Sequence, residues 1–254
     1  MKNSIVIWGI GEMGSIFARA ALRLGHPVVP VVRGADVEAI AAQVSEPEMV
    51  IIAVGEGDLH EVLKRVPRAW RFRLVLLQNE LLPEDWCECD HHPTVISVWF
   101  EKKKGQDVKV LVPSPCFGRY AGWLVEALAA VDIPAVEIAS EDELLYQLVL
   151  KNVYILTTNI AGLEVGGTVG ELQEKHPQLL REVAAEVIDL QQKMTGKNFD
   201  HDKLIQDMLV AFAGDPEHQC MGRSAPARLQ RALEQAQKLG LQLPRLQAIA
   251  EKSG

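Results

Sequence analysis

Five short apolar runs mark the first hundred residues: SIVIWG (4–9), PVVPVV (27–32), MVIIAV (49–54), RLVLLQ (73–78) and TVISVW (94–99). They are rich in β-branched residues and, Ser97 apart, carry no polar residue in their interiors, the pattern of strands buried on both faces. Amphipathic stretches at 12–24, 36–43 and 58–65 lie between several of them and predict helices. Strands alternating with helices imply a parallel sheet covered on both sides. VKVLVP (108–113) and PAVEI (134–138) predict two further strands, with GRYAGWLVEALAAVD (118–132) as the helix between them.

Near residue 139 the pattern changes. SEDELLYQLVLKNVYILTTNIAGL (140–163) opens with S-x-x-E, a capping box, and then stays apolar for more than five turns. A helix this apolar is expected to be buried on most sides. It could be covered by its own chain or by a second copy, so a homodimer is one expectation. Helical periodicity continues at 177–194, 201–212, 223–239 and 244–252, with no strand pattern. The expected organisation is an α/β domain over 1–139 and an all-helical C-terminal domain over 140–254.

Composition narrows the function. Of 254 residues 48% are hydrophobic, and the net charge is −8. An acidic chain without a clustered basic face argues against a nucleic-acid partner. The one cationic run, EKKKGQDVK (101–109), reads as a solvated hairpin. The four cysteines, at 87, 89, 116 and 220, are too sparse and uneven for a disulfide framework. Neither a signal-peptide pattern nor a bilayer-length apolar run is read, so a cytoplasmic protein with no membrane partner is expected.

The first run ends in Gly9-x-Gly11-x-x-Gly14. In a dinucleotide loop the first glycine permits the tight turn, the second lets backbone approach a pyrophosphate, and the third lets the helix pack on the strand. The anion then rests on the helix N-terminus. A bare G-x-G-x-x-G is weak, but here a strand precedes it, a helix follows, and a second strand lies within about 30 residues. The competing reading is a glycine-rich turn without a ligand. The sequence therefore points to a Rossmann-type dinucleotide-binding domain, with Gly9, Ile10, Gly11, Glu12, Met13 and Gly14 forming the loop. The second strand ends in Val32-Arg33-Gly34 rather than in the carboxylate that would accept from a ribose 2′-OH. A guanidinium there can pair with a 2′-phosphate, which predicts NADP(H), unless Arg33 is only a surface residue. Asp36 is expected to start the next helix. Gly55 and Gly57 keep the end of the third run small, as a cofactor-lining loop requires.

Four further features resemble the ketopantoate reductase family. Leu77-Gln78-Asn79 ends a strand as that family's Q-N-G does. Lys151 and Asn159 lie on the first long helix of the second half, where the family has K-x-x-x-N-x-x-x-N. GGTVGELQEKHPQLLREVAAEV (166–187) resembles the family's next segment, and GLQLPRLQAI (240–249) its close. The resemblance spans nearly the whole chain. It implies a two-domain NADPH enzyme reducing a 2-keto acid to a 2-hydroxy acid. By that likeness Lys151 is the general acid that polarises the ketone, while Asn79 and Asn159 orient substrate or nicotinamide. On a helical wheel Asn152 and Asn159 lie about 20° apart and Lys151 about 80° from Asn159, so all three can face one crevice with Lys151 at its rim. The competing reading of Lys151 is a lysine that snorkels to water, and of Asn159 a helix-contact hydrogen bond.

The chain also departs from the family. Ile155 replaces the middle asparagine, Glu80 follows Asn79, and Pro226 stands where the family's G-R-x-T-E has its substrate-binding glutamate. Glu217, His218 or Arg223 could then serve a different keto acid or related carbonyl. Two alternatives stay open: a non-catalytic NADP(H)-binding sensor or scaffold, and an imine reductase. Cys87, Cys89, His91 and His92 could ligate zinc, but the spacing is tighter than structural sites use, and no metal is expected. Cys220 near His218 lacks an orienting third residue.

Overall fold

The computed structural model describes residues 2–86 and 92–253. The chain divides into two compact units, Met1–Leu148 and Val149–Gly254. The divide falls inside a helix, α5 (Glu141–Val165), rather than at the change of pattern near 139.

In the first unit β1 (Ile5–Trp8), β2 (Val28–Val31), β3 (Met49–Ile52), β4 (Leu74–Gln78) and β5 (Thr94–Ser97) run parallel. β8 (Ser114–Phe117) lies antiparallel to β5, and β9 (Ala135–Glu137) pairs parallel with β8. The sheet order is β2-β1-β3-β4-β5-β8-β9. Three helices link the first strands: α1 (Glu12–Arg23), α2 (Val37–Gln43) and α3 (Glu56–Lys64). The stretch 118–132 forms α4 (Ala121–Ala129).

The apolar runs follow from two-sided burial. Ile5, Ile7, Met49, Ile51, Val75 and Ile96 form one core with Phe17 and Ala20 of α1 and Leu124 and Leu128 of α4. The alternate residues Val6, Trp8, Val50, Ile52, Leu74 and Leu76 are buried too, and the two-residue strand period points them to the opposite face. On the way into β4, Trp70 is fully buried and its indole N–H donates to the Val44 carbonyl at 2.9 Å.

One expected strand is much shorter than the pattern suggests. The run 108–113 yields only β7 (Lys109–Val110), hairpinned to β6 (Phe100–Glu101), with exposed lysines at 103 and 104 between them. Pro113, which has no N–H to give a ladder, separates β7 from β8.

The topology positions the site. From β1 the chain adds β2 on one side, then crosses back past β1 to add β3 on the other. Such a reversal leaves a crevice at the carboxyl ends of the two strands it separates, here β1 and β3.

The second unit is helical, apart from an isolated bridge between Thr168 and Gln219. It holds the rest of α5, then α6 (Val169–Lys175), α7 (Pro177–Thr195), α8 (His201–Gly214), α9 (Ala225–Lys238) and α10 (Pro244–Ser253). α6 is too short to show in the periodicity. Thr168 caps it: the hydroxyl accepts from the Glu171 N–H while the Glu171 carboxylate accepts from the Thr168 N–H. The Glu186 carboxylate accepts from the Arg245 and Leu246 N–H groups at 2.8 and 3.0 Å and so caps α10.

Side chains of α5 reach all four long helices of this unit. Asn152 donates to Gln191 on α7, Tyr154 packs edge-on against Phe212 on α8, Asn159 accepts from Arg228 on α9, and Glu164 pairs with Arg245 on α10. Residues 148–162 are buried without interruption. The apolarity of this helix is thus met by the chain itself and does not require a second copy. Among the described residues no helix is long and apolar enough to cross a membrane.

Candidate functional site

The glycine loop joins β1 to α1 at the crevice. Gly9 has φ +97°, in the left-handed region that side chains avoid, and a Cβ on it would stand 2.5 Å from the Ala53 carbonyl oxygen. A Cβ on Gly14 would stand 1.9 Å from the Gly9 carbonyl oxygen. Both glycines are therefore demanded by the turn and by close packing of α1 on β1 and β3. Gly11 is different: a Cβ there would meet no protein atom within 4 Å. No packing among the described residues requires it, and its open side leaves backbone approachable from outside.

α1 starts at Gly11 with no side-chain cap, so its first N–H groups and the positive end of its dipole face the crevice. α3 likewise starts at Gly55 without one. By contrast Asp36 caps α2, accepting from the Ala39 N–H at 3.0 Å, which is the helix-starting role its position suggested. Glu12 and Met13 occupy the first turn of α1, and the Ser15 hydroxyl donates to the Glu12 carbonyl at 2.7 Å.

Beside the loop lies a cavity of about 510 Å³, within the usual size of a small-ligand site. Gly9 and Ile10 line it at the end of β1, Arg33 and Gly34 at the end of β2, and Gly55 at the start of α3. Val31, Val32, Val37, Val54 and Val62 supply an apolar lining. The Arg33 side chain is 97% exposed, 4.0 Å from the Asp58 carboxylate. Glu61 also lines the cavity and is held below its ordinary pKa by a hydrogen bond and charge from Lys64 at 2.7 Å. Asn79 follows β4 and is exposed at the same carboxyl edge of the sheet, but it does not line this cavity.

Sequence inspection missed Arg65. It lines the same cavity, with its guanidinium 5.8 Å from the centre of the Trp8 ring. Its role depends on which face of α3 turns inward, and a nine-residue helix shows that only weakly by periodicity.

In the second unit Lys151, Asn152 and Asn159 are all buried, at 7, 2 and 8% exposure. The Lys151 ammonium lies 5.5 Å from the centre of the Tyr154 ring. Asn152 is engaged with a neighbouring helix. Its amide N–H donates to Gln191 at 2.8 Å in the α5–α7 interior. Asn159 spends one donor on the Ile155 carbonyl at 2.9 Å and one acceptor on the Arg228 guanidinium at 3.1 Å. Arg228, 69 residues away in sequence, is thereby fixed beside α5.

The remaining candidates separate. Arg223 is exposed just before α9, and Pro226 sits in that helix's first turn, where its missing N–H costs nothing. His218 lies 3.7 Å from the Asp215 carboxylate and tilts against the Tyr154 ring. Glu217 is exposed. Burial, with the charge of Glu171 adding, pushes the Cys220 thiol up to about 11, so it stays protonated at neutral pH and is a poor nucleophile. The GGTVGEL segment has a structural job: Gly166 and Gly167 turn the chain at φ +65° and +72°, and Thr168 and Glu171 cap α6. Cys87, Cys89 and His91 lie outside the described residues. His92 is within them, 3.7 Å from Glu141. Among the described residues no cluster of His, Cys, Asp or Glu could hold a metal ion.

Comparison with solved structures identifies the architecture. A 2-dehydropantoate 2-reductase from Porphyromonas gingivalis W83 superposes with a TM-score of 0.66 at 16% identity, covering 99% of each chain. The chain has the fold of the ketopantoate reductases. The dimeric ketopantoate reductase of Staphylococcus aureus gives 0.63 at 18% identity, over 99% of this chain and 100% of that one. The fold extends to a D-mandelate dehydrogenase solved with NADH, at 0.65 and 16% identity over 98% and 96% of the two chains. No family model and no curated protein sequence matches the chain. On the ketopantoate reductase fold, this chain is thus a sequence-divergent example.

Proposed function

We propose that the protein is an NADP(H)-dependent reductase of a small 2-keto acid or related carbonyl. The observation that carries this reading is Gly11: a glycine that no packing requires, at the uncapped start of α1, beside a cavity edged by Arg33. These residues fit a dinucleotide. The α1 N-terminus and the backbone of Ile10 to Met13 would receive the pyrophosphate. The valine lining suits an adenine, and Arg33 would exchange Asp58 for the 2′-phosphate. Asn79, at the same sheet edge, would hydrogen-bond the nicotinamide end.

When bound, the reduced cofactor supplies a hydride. Lys151 would hold its ammonium against the carbonyl oxygen that gains charge, and give that oxygen its proton. Asn159 would serve by fixing Arg228, whose guanidinium suits the carboxylate of a keto acid. A homodimeric state, in keeping with the dimeric ketopantoate reductase of Staphylococcus aureus, belongs to the same reading.

The test is NADPH consumption across a panel of 2-keto acids that includes ketopantoate, run beside cyclic imines and with NADH as the competing donor. Steady oxidation of NADPH with at least one keto acid is expected. Turnover of imines alone would replace the substrate class. Tight NADPH binding without turnover of any member would turn the reading into that of a non-catalytic sensor.

A further inference from the structure

We infer that Arg65 is a second cation for the adenosine-end phosphate, acting with Arg33 to select NADP(H) over NAD(H); this rests on the cofactor reading above. Asp58, Glu61 and Arg65 stand three and four residues apart on α3 and at its end, so they share one face, and all line the cavity that Arg33 edges. The charges on this face are not equivalent. Asp58 faces Arg33 at 4.0 Å, and Glu61 pairs with Lys64 at 2.7 Å. The contact of Arg65 is instead with an aromatic ring, 5.8 Å from the centre of Trp8.

A ring contact has two consequences. It fixes the direction of the guanidinium without neutralising it, because the attraction is to the π face and the in-plane N–H donors stay available. It also ties Arg65 to β1, since Trp8 is 5% exposed and immediately precedes Gly9. Arg65 thus brings a full positive charge to the cavity from the wall formed by α3, while Arg33 brings one from the end of β2. A monoester phosphate carries close to two negative charges at neutral pH and offers three acceptor oxygens. Two guanidiniums from different walls match it better than one exposed arginine already shared with Asp58. A ribose 2′-OH gives them nothing comparable.

The competing explanation is structural: a cation at the C-terminal end of α3 favours the helix dipole and covers Trp8. That role would appear in stability and would not discriminate between cofactors. The test therefore measures binding by calorimetry for NADPH, NADH and 2′,5′-ADP, using the full chain and its Arg65→Ala, Arg65→Lys and Arg33→Ala variants, with ligand-free melting temperatures alongside. Arg65→Ala is expected to weaken NADPH and 2′,5′-ADP by about tenfold to a hundredfold, the scale of a charge-assisted contact, while NADH changes by less than about twofold. Arg65→Lys should keep part of the preference, since charge survives but the fork does not. NADPH affinity unchanged in Arg65→Ala, or an equal loss for both cofactors, overturns the inference while leaving the NADP(H) reading intact. Failure of the wild-type chain to bind NADPH defeats that reading, a result visible before any variant is compared.

Discussion

Replacing Lys151 by methionine is expected to lower the steady-state rate with the best keto acid by about 10²- to 10⁴-fold, the usual worth of a positioned proton donor. NADPH affinity should stay within about twofold of wild type, because the described residues that line the proposed cofactor cavity lie between Trp8 and Arg65. Methionine is the informative choice. Its unbranched thioether keeps most of the length of the buried stem and removes the ammonium that lies over the Tyr154 ring. Alanine would also empty space in a helix buried from 148 to 162, mixing loss of chemistry with loss of packing. Stopped-flow and steady-state rates over a pH series, with NADPH titration by fluorescence, separate the two effects. An unchanged rate in Lys151→Met would remove Lys151 as the acid without touching the cofactor assignment.

How much of this was legible in the sequence depends on the range of each interaction. The α/β-then-helical architecture was readable because two-sided burial writes itself into consecutive residues, as in Ile5–Trp8 and Met49–Ile52. The glycine loop was readable because its spacing is local. The antiparallel entry of β8 was not, since it follows from Pro113 breaking one run and SPCF resuming the sheet. The helical wheel placed Asn152 with Asn159 but could not say that Gln191 waits on another helix to claim it. Arg228 was invisible for the same reason: its value lies in a contact with Asn159 across 69 residues. Pro226, which in sequence looks like a lost functional group, is in the fold an ordinary first-turn proline of α9. Short-range periodicity thus exposed the scaffold, whereas the polar contacts that distinguish one site residue from its neighbours required the fold.

Gly11 and Gly14 should separate sharply when each is changed to alanine, and this pair tests whether the loop exists for a ligand. In Gly14→Ala the new methyl would stand 1.9 Å from the Gly9 carbonyl oxygen, backbone that cannot swing aside as a side chain can. α1 would have to lift from β1, at a cost of about 1–3 kcal/mol by the usual scale of overpacking, and cofactor affinity would fall with it. Thermal unfolding should register the loss without any ligand present. In Gly11→Ala the methyl meets no protein atom within 4 Å, and φ is −80°, which alanine adopts freely. The expected cost is below about 1 kcal/mol, reflecting only the poorer helix start that alanine gives. NADPH binding should nevertheless fall by about tenfold or more, because a methyl there stands between the α1 N–H groups and the pyrophosphate. A ligand-free turn predicts the opposite for Gly11→Ala: the same melting curve and no change in the response to NADPH. Calorimetric titration of both variants, with melting curves taken with and without NADPH, distinguishes packing glycine from binding glycine at two positions three residues apart.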